Sequence, residues 1–279
     1  MRNIYISLFI ILICQSGCTR FRMNDKQTYR FFEEQALHPT ILRHQTQEGI
    51  IRYLEVGENT ENVVIFIHGA PSSMAIFRTL LTDKMLLQHT KMVAVDRAGY
   101  GYSDYGKVVT SVVEQARRLA PILQKYAQTH KRIVLVGASY GGSVAAKLAM
   151  DYPDLIDDVM FVSASLAPKE EKIYGISYMI RRRAFKWLFP KFIRIANAEK
   201  LAHEKALMEI LPTWGNIKSR IFVLHGTTDK LIYPANVAFA QKQLAHIQHF
   251  QVKWVPDMGH KISYAHPEII QEELIKLLK

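Results

Sequence analysis

Seven short apolar runs punctuate the chain: IIRYLEV at 50–56, VVIFIH at 63–68, MVAVD at 92–96, RIVLVG at 132–137, VMFVSA at 159–164, IFVLHG at 221–226 and FQVKWV at 250–255. Most are nearly continuous in Val, Ile and Leu rather than alternating, and stretches of helical spacing separate them. Continuous runs of this length suit strands buried on both faces. The pattern therefore predicts an α/β fold, a mostly parallel, doubly wound sheet with helices on either side. One interval departs from the alternation. From Ser165 to about Pro212, helical patterns follow one another without a strand, which predicts a small helical cap over the ligand-binding edge of the sheet, at about 165–212.

The first residues read differently. Arg2 leads into an apolar stretch from Ile4 to Cys14, followed by Ser16, Gly17 and Cys18. So short a stretch fits the core of a signal peptide, residues 1–17, rather than a membrane span. QSGC at 15–18 resembles the lipobox of bacterial lipoproteins, with Gln15 where leucine is usual. The resemblance implies a lipidated Cys18 as mature first residue and an exported, membrane-anchored protein of the bacterial cell envelope. An uncleaved anchor and plain secretion are the alternatives. Residues 18–45 are polar and charged apart from TYRFFEEQAL before Pro39, so a tether carrying a short helix is expected there, with the main domain over 46–279.

Composition narrows the partners. The 279 residues are 49% hydrophobic, enough for one sizeable core. Both cysteines, Cys14 and Cys18, lie in the leader, so no disulfide is expected in the folded domain. The formal charge of +11 falls only to +10 without Arg2. An excess of this sign favours anionic surfaces such as the membrane beside a lipid-anchored protein, whereas nucleic acid suits an exported chain poorly.

The most informative stretch is GASYGG at 137–142, at the end of one apolar run and the start of a helical one. Ligands of open parallel sheets bind beyond the carboxyl ends of the strands. A serine on a sharp strand-to-helix turn there needs small neighbours for the turn to close, and Gly137, Gly141 and Gly142 supply them. The G-x-S-x-G pattern resembles the nucleophile elbow of the α/β-hydrolase family, and the reading as a plain glycine-rich turn is less consistent with its strand-to-helix context.

A serine hydroxyl needs a base and an orienting acid, which that family carries in the order serine, acid, histidine. Asp229 in HGTTDKLIYP and His260 in PDMGHKISYAHPE both follow predicted strands and resemble the family pattern. Asp257 and Asp96 are rivals for the acid: the first is expected to shape the His260 loop, the second to pair structurally with its neighbour Arg97. His246, His249 and His266 read as surface residues. The resemblance also implies an oxyanion hole built from the amide of Tyr140, the residue after the serine, and one from HGAP at 68–71. Pro71 has no N–H, which leaves Ala70 as the donor. DRAGYGYSD at 96–104 resembles a further, mostly structural family segment.

A serine at the elbow sets the chain apart from relatives that use aspartate there, and HGAPS differs from the HGGPG of prolyl aminopeptidases. Lys261 after His260 differs from the aromatic residue frequent in carbon–carbon bond hydrolases. The resemblance thus implies a serine hydrolase of carboxylic esters, small or lipid-like, without metal or cofactor. The other readings are a non-catalytic binding module and a peptidase or carbon–carbon bond hydrolase of the same fold. The cap mixes Tyr174, Tyr178, Met179, Phe185, Trp187, Leu188, Phe189 and Phe192 with Arg181, Arg182, Arg183, Lys186, Lys191 and Arg194. Two expectations follow for it: aromatic residues packed on the pocket beneath a solvated basic face, or a lid that binds an anionic membrane or acyl substrate.

Overall fold

The computed structural model describes residues 22–171 and 173–279. Eight strands form one sheet: β1 (Thr40–Thr46), β2 (Gly49–Val56), β3 (Asn62–Ile67), β4 (Lys91–Val95), β5 (Arg132–Ala138), β6 (Asp158–Val162), β7 (Arg220–Gly226) and β8 (Phe250–Val255). Their order is β1-β2-β4-β3-β5-β6-β7-β8. The first two strands run antiparallel to their neighbours, and β4 through β8 are parallel. The α/β doubly wound sheet expected from the apolar runs is the architecture found.

Successive residues of β3 show why such runs are continuous. Val63, Ile65 and Ile67 enter the core on one face, beneath helices Val112–Ala127 and Tyr140–Asp151. Val64 and Phe66 enter the core on the other, beneath Pro267–Leu278 and the helix Asp25–Glu33. Neither face of the strand meets water, so neither calls for polar residues.

The expected tether needs correction from residue 22 onward. Asn24 caps the helix Asp25–Glu33: its side chain accepts from the Gln27 amide, and the Gln27 side chain accepts from the Asn24 amide. Phe32 is buried in the core, a burial that contributes about 2–3 kcal/mol. Asp25 accepts from the buried Arg52 at 3.0 Å, and Arg52 also reaches Asp96 at 3.1 Å. Residues Thr40–Thr46 then add an edge strand to β2, pairing Thr40 with Glu55 and Thr46 with Gly49. This segment is part of the folded domain.

The cap lies where the strand pattern lapses. It consists of the helix Gly175–Arg181, a 3-10 turn at Arg183–Leu188 and the long helix Lys191–Ile210. A buried ion pair fastens that helix to the end of β4. The Glu199 carboxylate accepts from Arg97 Nη1 at 2.8 Å and Nη2 at 3.2 Å, from the Tyr100 hydroxyl at 2.6 Å and from Gln115 at 3.2 Å. Of the cap's apolar residues, Phe192 and Ile193 reach the cavity under it. Tyr174, Tyr178, Met179, Phe185, Leu188 and Trp187 are exposed, Trp187 by 80%. The expectation that the cap's aromatic residues pack on the pocket is therefore corrected for Tyr174, Tyr178, Phe185 and Trp187: the short helix and turn that carry them turn these side chains toward solvent.

Candidate active site

Ser139 ends β5 in a conformation that L-residues avoid, with φ 52° and ψ −123°. Tight packing around it holds this backbone. A side-chain carbon on Gly141 would lie 2.2 Å from the Ile67 carbonyl oxygen, and one on Gly142 would lie 2.3 Å from Ala164 Cβ. Only glycine lets the helix Tyr140–Asp151 start this close to β3 and β6. The turn leaves the Ser139 side chain on the wall of a cavity of about 520 Å³, which His260, Ala70 and Pro71 also line.

The structure brings the three candidate side chains together from three strand ends. Ser139 Oγ lies 3.1 Å from His260 Nε2, and His260 Nδ1 lies 2.8 Å from Asp229 Oδ2. Asp229 Oδ1 accepts from the amides of Leu231 and Ile232, both at 2.9 Å. Burial pushes the Asp229 pKa up. The hydrogen bond and charge of His260, together with those two amides, outweigh burial and hold the carboxyl below its usual range. A carboxylate fixed in this way keeps the proton on Nδ1 and presents Nε2 to the serine as an acceptor.

The rivals do other work. Asp96 is buried and accepts from the amides of Met74 and Tyr102, both at 2.9 Å, besides Arg52. It knits three loops together, though its ion-pair partner is Arg52 and not its neighbour Arg97. Asp257 takes φ 54° in the loop before His260, where its amide donates to Thr227 Oγ1 at 2.9 Å. His246 and His249 are exposed, and His266 pairs with Glu268 at 3.0 Å.

Arg97 organises the HGAP loop. Its Nε donates to the His68 carbonyl at 2.8 Å and its Nη2 to the Gly69 carbonyl at 3.3 Å, which also accepts from His68 Nδ1 at 2.6 Å. Across a trans peptide the next N–H points opposite to the carbonyl, so the Ala70 amide faces away from Arg97. Gly69 abuts Ser139, since a side-chain carbon there would lie 2.8 Å from Ser139 Cβ. Tyr140 opens its helix, so its amide has no partner within that helix. The two expected donors thus flank Ser139. His68 is buried, and desolvation with the neighbouring Arg97 charge pushes its pKa well down. Its Nε2 accepts from the Arg97 amide at 3.0 Å, which leaves no lone pair to act as a base toward substrate.

Behind the elbow lies a second histidine system with no counterpart in the sequence reading. His203 of the cap helix stacks on Tyr140 with ring centroids 4.5 Å apart, reaches Ser143 Oγ at 3.0 Å and bonds Glu171 through Nδ1. The connectivity is serine, histidine, carboxylate, but Ser143 and His203 are fully buried and the serine donates to the Ser165 carbonyl. This chain ties the cap to the elbow helix. Its three members are 32 and 60 residues apart, and no local motif marks them. Among the described residues no cluster of His, Cys, Asp or Glu side chains could hold a metal ion.

A strained serine at the end of a central parallel strand, joined to aspartate and histidine from beyond the ends of β7 and β8, defines a hydrolase-type α/β fold. The alpha/beta hydrolase family matches residues 64–271, and the chain belongs to that family. Protein ABHD8 of Homo sapiens is 31% identical over 159 residues, 55% of this chain and 36% of that protein, so the match spans little more than a third of the relative's length. Among solved structures, a membrane phospholipase A that is a bacterial virulence factor has 18% identity and a TM-score of 0.64, covering 99% of this chain and 98% of its own. A thermophilic esterase has 19% identity and a TM-score of 0.64, covering 86% and 99%. At these identities the two structures establish the shared fold.

Proposed function

We propose that the protein is a serine hydrolase that cleaves carboxylic esters through an acyl-enzyme. The observation that carries this reading is the unbroken relay from Ser139 Oγ through His260 to the buried Asp229 on the wall of one cavity. In the first half-reaction Ser139 Oγ bonds to the ester carbonyl carbon while His260 Nε2 takes the hydroxyl proton. The carbonyl oxygen becomes an oxyanion, which the Ala70 and Tyr140 amides stabilise. Collapse breaks the ester C–O bond, and the leaving alkoxide departs as alcohol with the proton from His260. Water then attacks the acyl carbon with His260 again as base, and the acid leaves as Ser139 regains its proton. Asp229 stabilises the imidazolium formed at each stage.

Hydrolysis of p-nitrophenyl esters of graded acyl length tests this reading. The cavity walls of Ile76, Phe192, Ile193 and Leu231 predict turnover that rises from acetate toward medium chains. No ester turnover above the Ser139→Ala background would refute it.

The same reading extends to location. A leader and a lipid on Cys18, which lies outside the described residues, would make the protein an exported lipoprotein of the cell envelope. Arg22 lines the same cavity as Ser139, and the four residue steps from Cys18 to Arg22 span at most roughly 14 Å. An anchored enzyme would thus hold its cavity near the bilayer. The exposed Ile176, Tyr178, Trp187 and Leu188 beside exposed Arg181, Arg182 and Arg183 offer the mixed apolar and cationic chemistry that suits an anionic interface. Loss of membrane fractionation in Cys18→Ala protein is the expected result. Retention after a salt wash would refute the anchor.

A further inference from the structure

One cation on the cavity wall is held as a recognition group is held. Arg22 donates from Nε to the Gly101 carbonyl at 2.8 Å. Its guanidinium carbon sits 4.2 Å from the centre of the Tyr102 ring and 3.9 Å from that of Tyr105. The fork is thereby fixed in position and orientation. Among the described residues no carboxylate forms an ion pair with it, although Asp25 three residues later is shared by Arg43 and Arg52. Arg22 lines the cavity that contains Ser139 and His260, and among the described residues no aspartate or glutamate lines that cavity. The other cation there among the described residues, Lys261, is an exposed, flexible chain with a single charged point. A guanidinium fixed by two rings and a carbonyl loses little freedom on binding, and its remaining N–H groups match two oxygens of an anion. Its neighbours in the cavity, Phe192, Ile193 and Leu231, suit an acyl chain.

We infer that Arg22 is the specificity determinant of this site, selecting esters that carry an anionic group, carboxylate or phosphate, beside an apolar acyl chain. The inference rests on the ester-hydrolase reading for its catalytic consequence and on the cavity alone for recognition.

The test compares three esters of one acyl chain: monooctanoyl glycerol, the same ester phosphorylated on its free primary hydroxyl, and the octanoyl ester of glyceric acid. The wild-type protein should show a higher kcat/KM for the two anionic esters than for the neutral one. Arg22→Gln should lower the anionic-to-neutral ratio by about 10- to 100-fold, the range of a charge-assisted pair, while Arg22→Lys retains part of it. The phosphate and carboxylate arms show which anion the site takes. A ratio that Arg22→Gln leaves unchanged, whatever the absolute rates, overturns the inference and makes the arginine a pin for the Gly101 loop. Calorimetry of octyl phosphate, octanoate and octanol on Ser139→Ala protein reads recognition without turnover. Arg22-dependent preference for either anion there, with no ester cleaved by the wild type, would refute the hydrolase reading and leave the inference standing. Equal affinities with and without Arg22 would overturn the inference itself.

Discussion

Glu199 gives the most quantitative test of how the cap is held. Its carboxylate and the Arg97 guanidinium are both fully buried, and four hydrogen bonds converge on the carboxylate from Arg97, Tyr100 and Gln115. Replacing Glu199 by Ala removes the acceptor and leaves an arginine that cannot shed its proton in a fully buried site. Stranding one member of such a pair costs about 3–5 kcal/mol. Against a total stability of roughly 5–15 kcal/mol, that is a large fraction. For a domain of this size each kcal/mol moves the melting temperature by about 2–4 °C, so Glu199→Ala should lower it by roughly 6–20 °C. Glu199→Gln keeps one acceptor oxygen and should lose less. Thermal unfolding followed by circular dichroism measures both. The same helix carries Phe192 over the cavity, so ester KM should rise in the surviving protein. A melting temperature for Glu199→Ala within a degree or two of the wild type would refute the claim that this pair fastens the cap.

Asp229→Asn should reduce kcat by about ten-thousandfold, because the amide can no longer fix the imidazole tautomer, and His260→Ala by on the order of a million-fold. The folded Asp229 carboxyl titrates below its usual value, so its contribution to stability is complete above about pH 4 and fades as the pH falls through the lowered value. The gap in melting temperature between wild type and Asp229→Asn should therefore be full above about pH 4 and narrow as the pH falls through the lowered value; a gap independent of pH would contradict this. Gly141→Ala forces a carbon against the Ile67 and His68 carbonyls at 2.2 and 2.7 Å and should cost about 1–3 kcal/mol together with most of the ester activity, as unfolding and turnover assays would show.

What the sequence revealed and what it hid have physical causes. Strands with much buried surface advertise themselves as apolar runs, as β2 to β7 do, the half-exposed β8 still shows one in FQVKWV, and the elbow requires a fixed spacing of small residues, so β2 to β8 and Ser139 were legible. Asp229 and His260 were legible because chemistry and chain order restricted the choices at strand ends. The edge strand β1 was not, since TILRHQT buries little of either face and carries polar side chains at an edge. Arg97 and Glu199 are 102 residues apart, and nothing local in either segment specifies the other. The aromatic residues of the cap fit a pocket lining by composition, but composition does not say which way a short helix faces. Arg22 stood unnoticed in a charged stretch because its significance depends on Tyr102 and Tyr105, brought beside it only by folding.

The central claim is that Ser139 attacks substrate with His260 as its base. Its most direct test is to treat the protein with a fluorophosphonate and identify the modified peptide by mass spectrometry. The account predicts one phosphonyl adduct on Ser139 in the wild type, much slower formation in His260→Ala and none in Ser139→Ala. Wild-type protein that stays unlabelled, or equal labelling of wild type and Ser139→Ala, would contradict it.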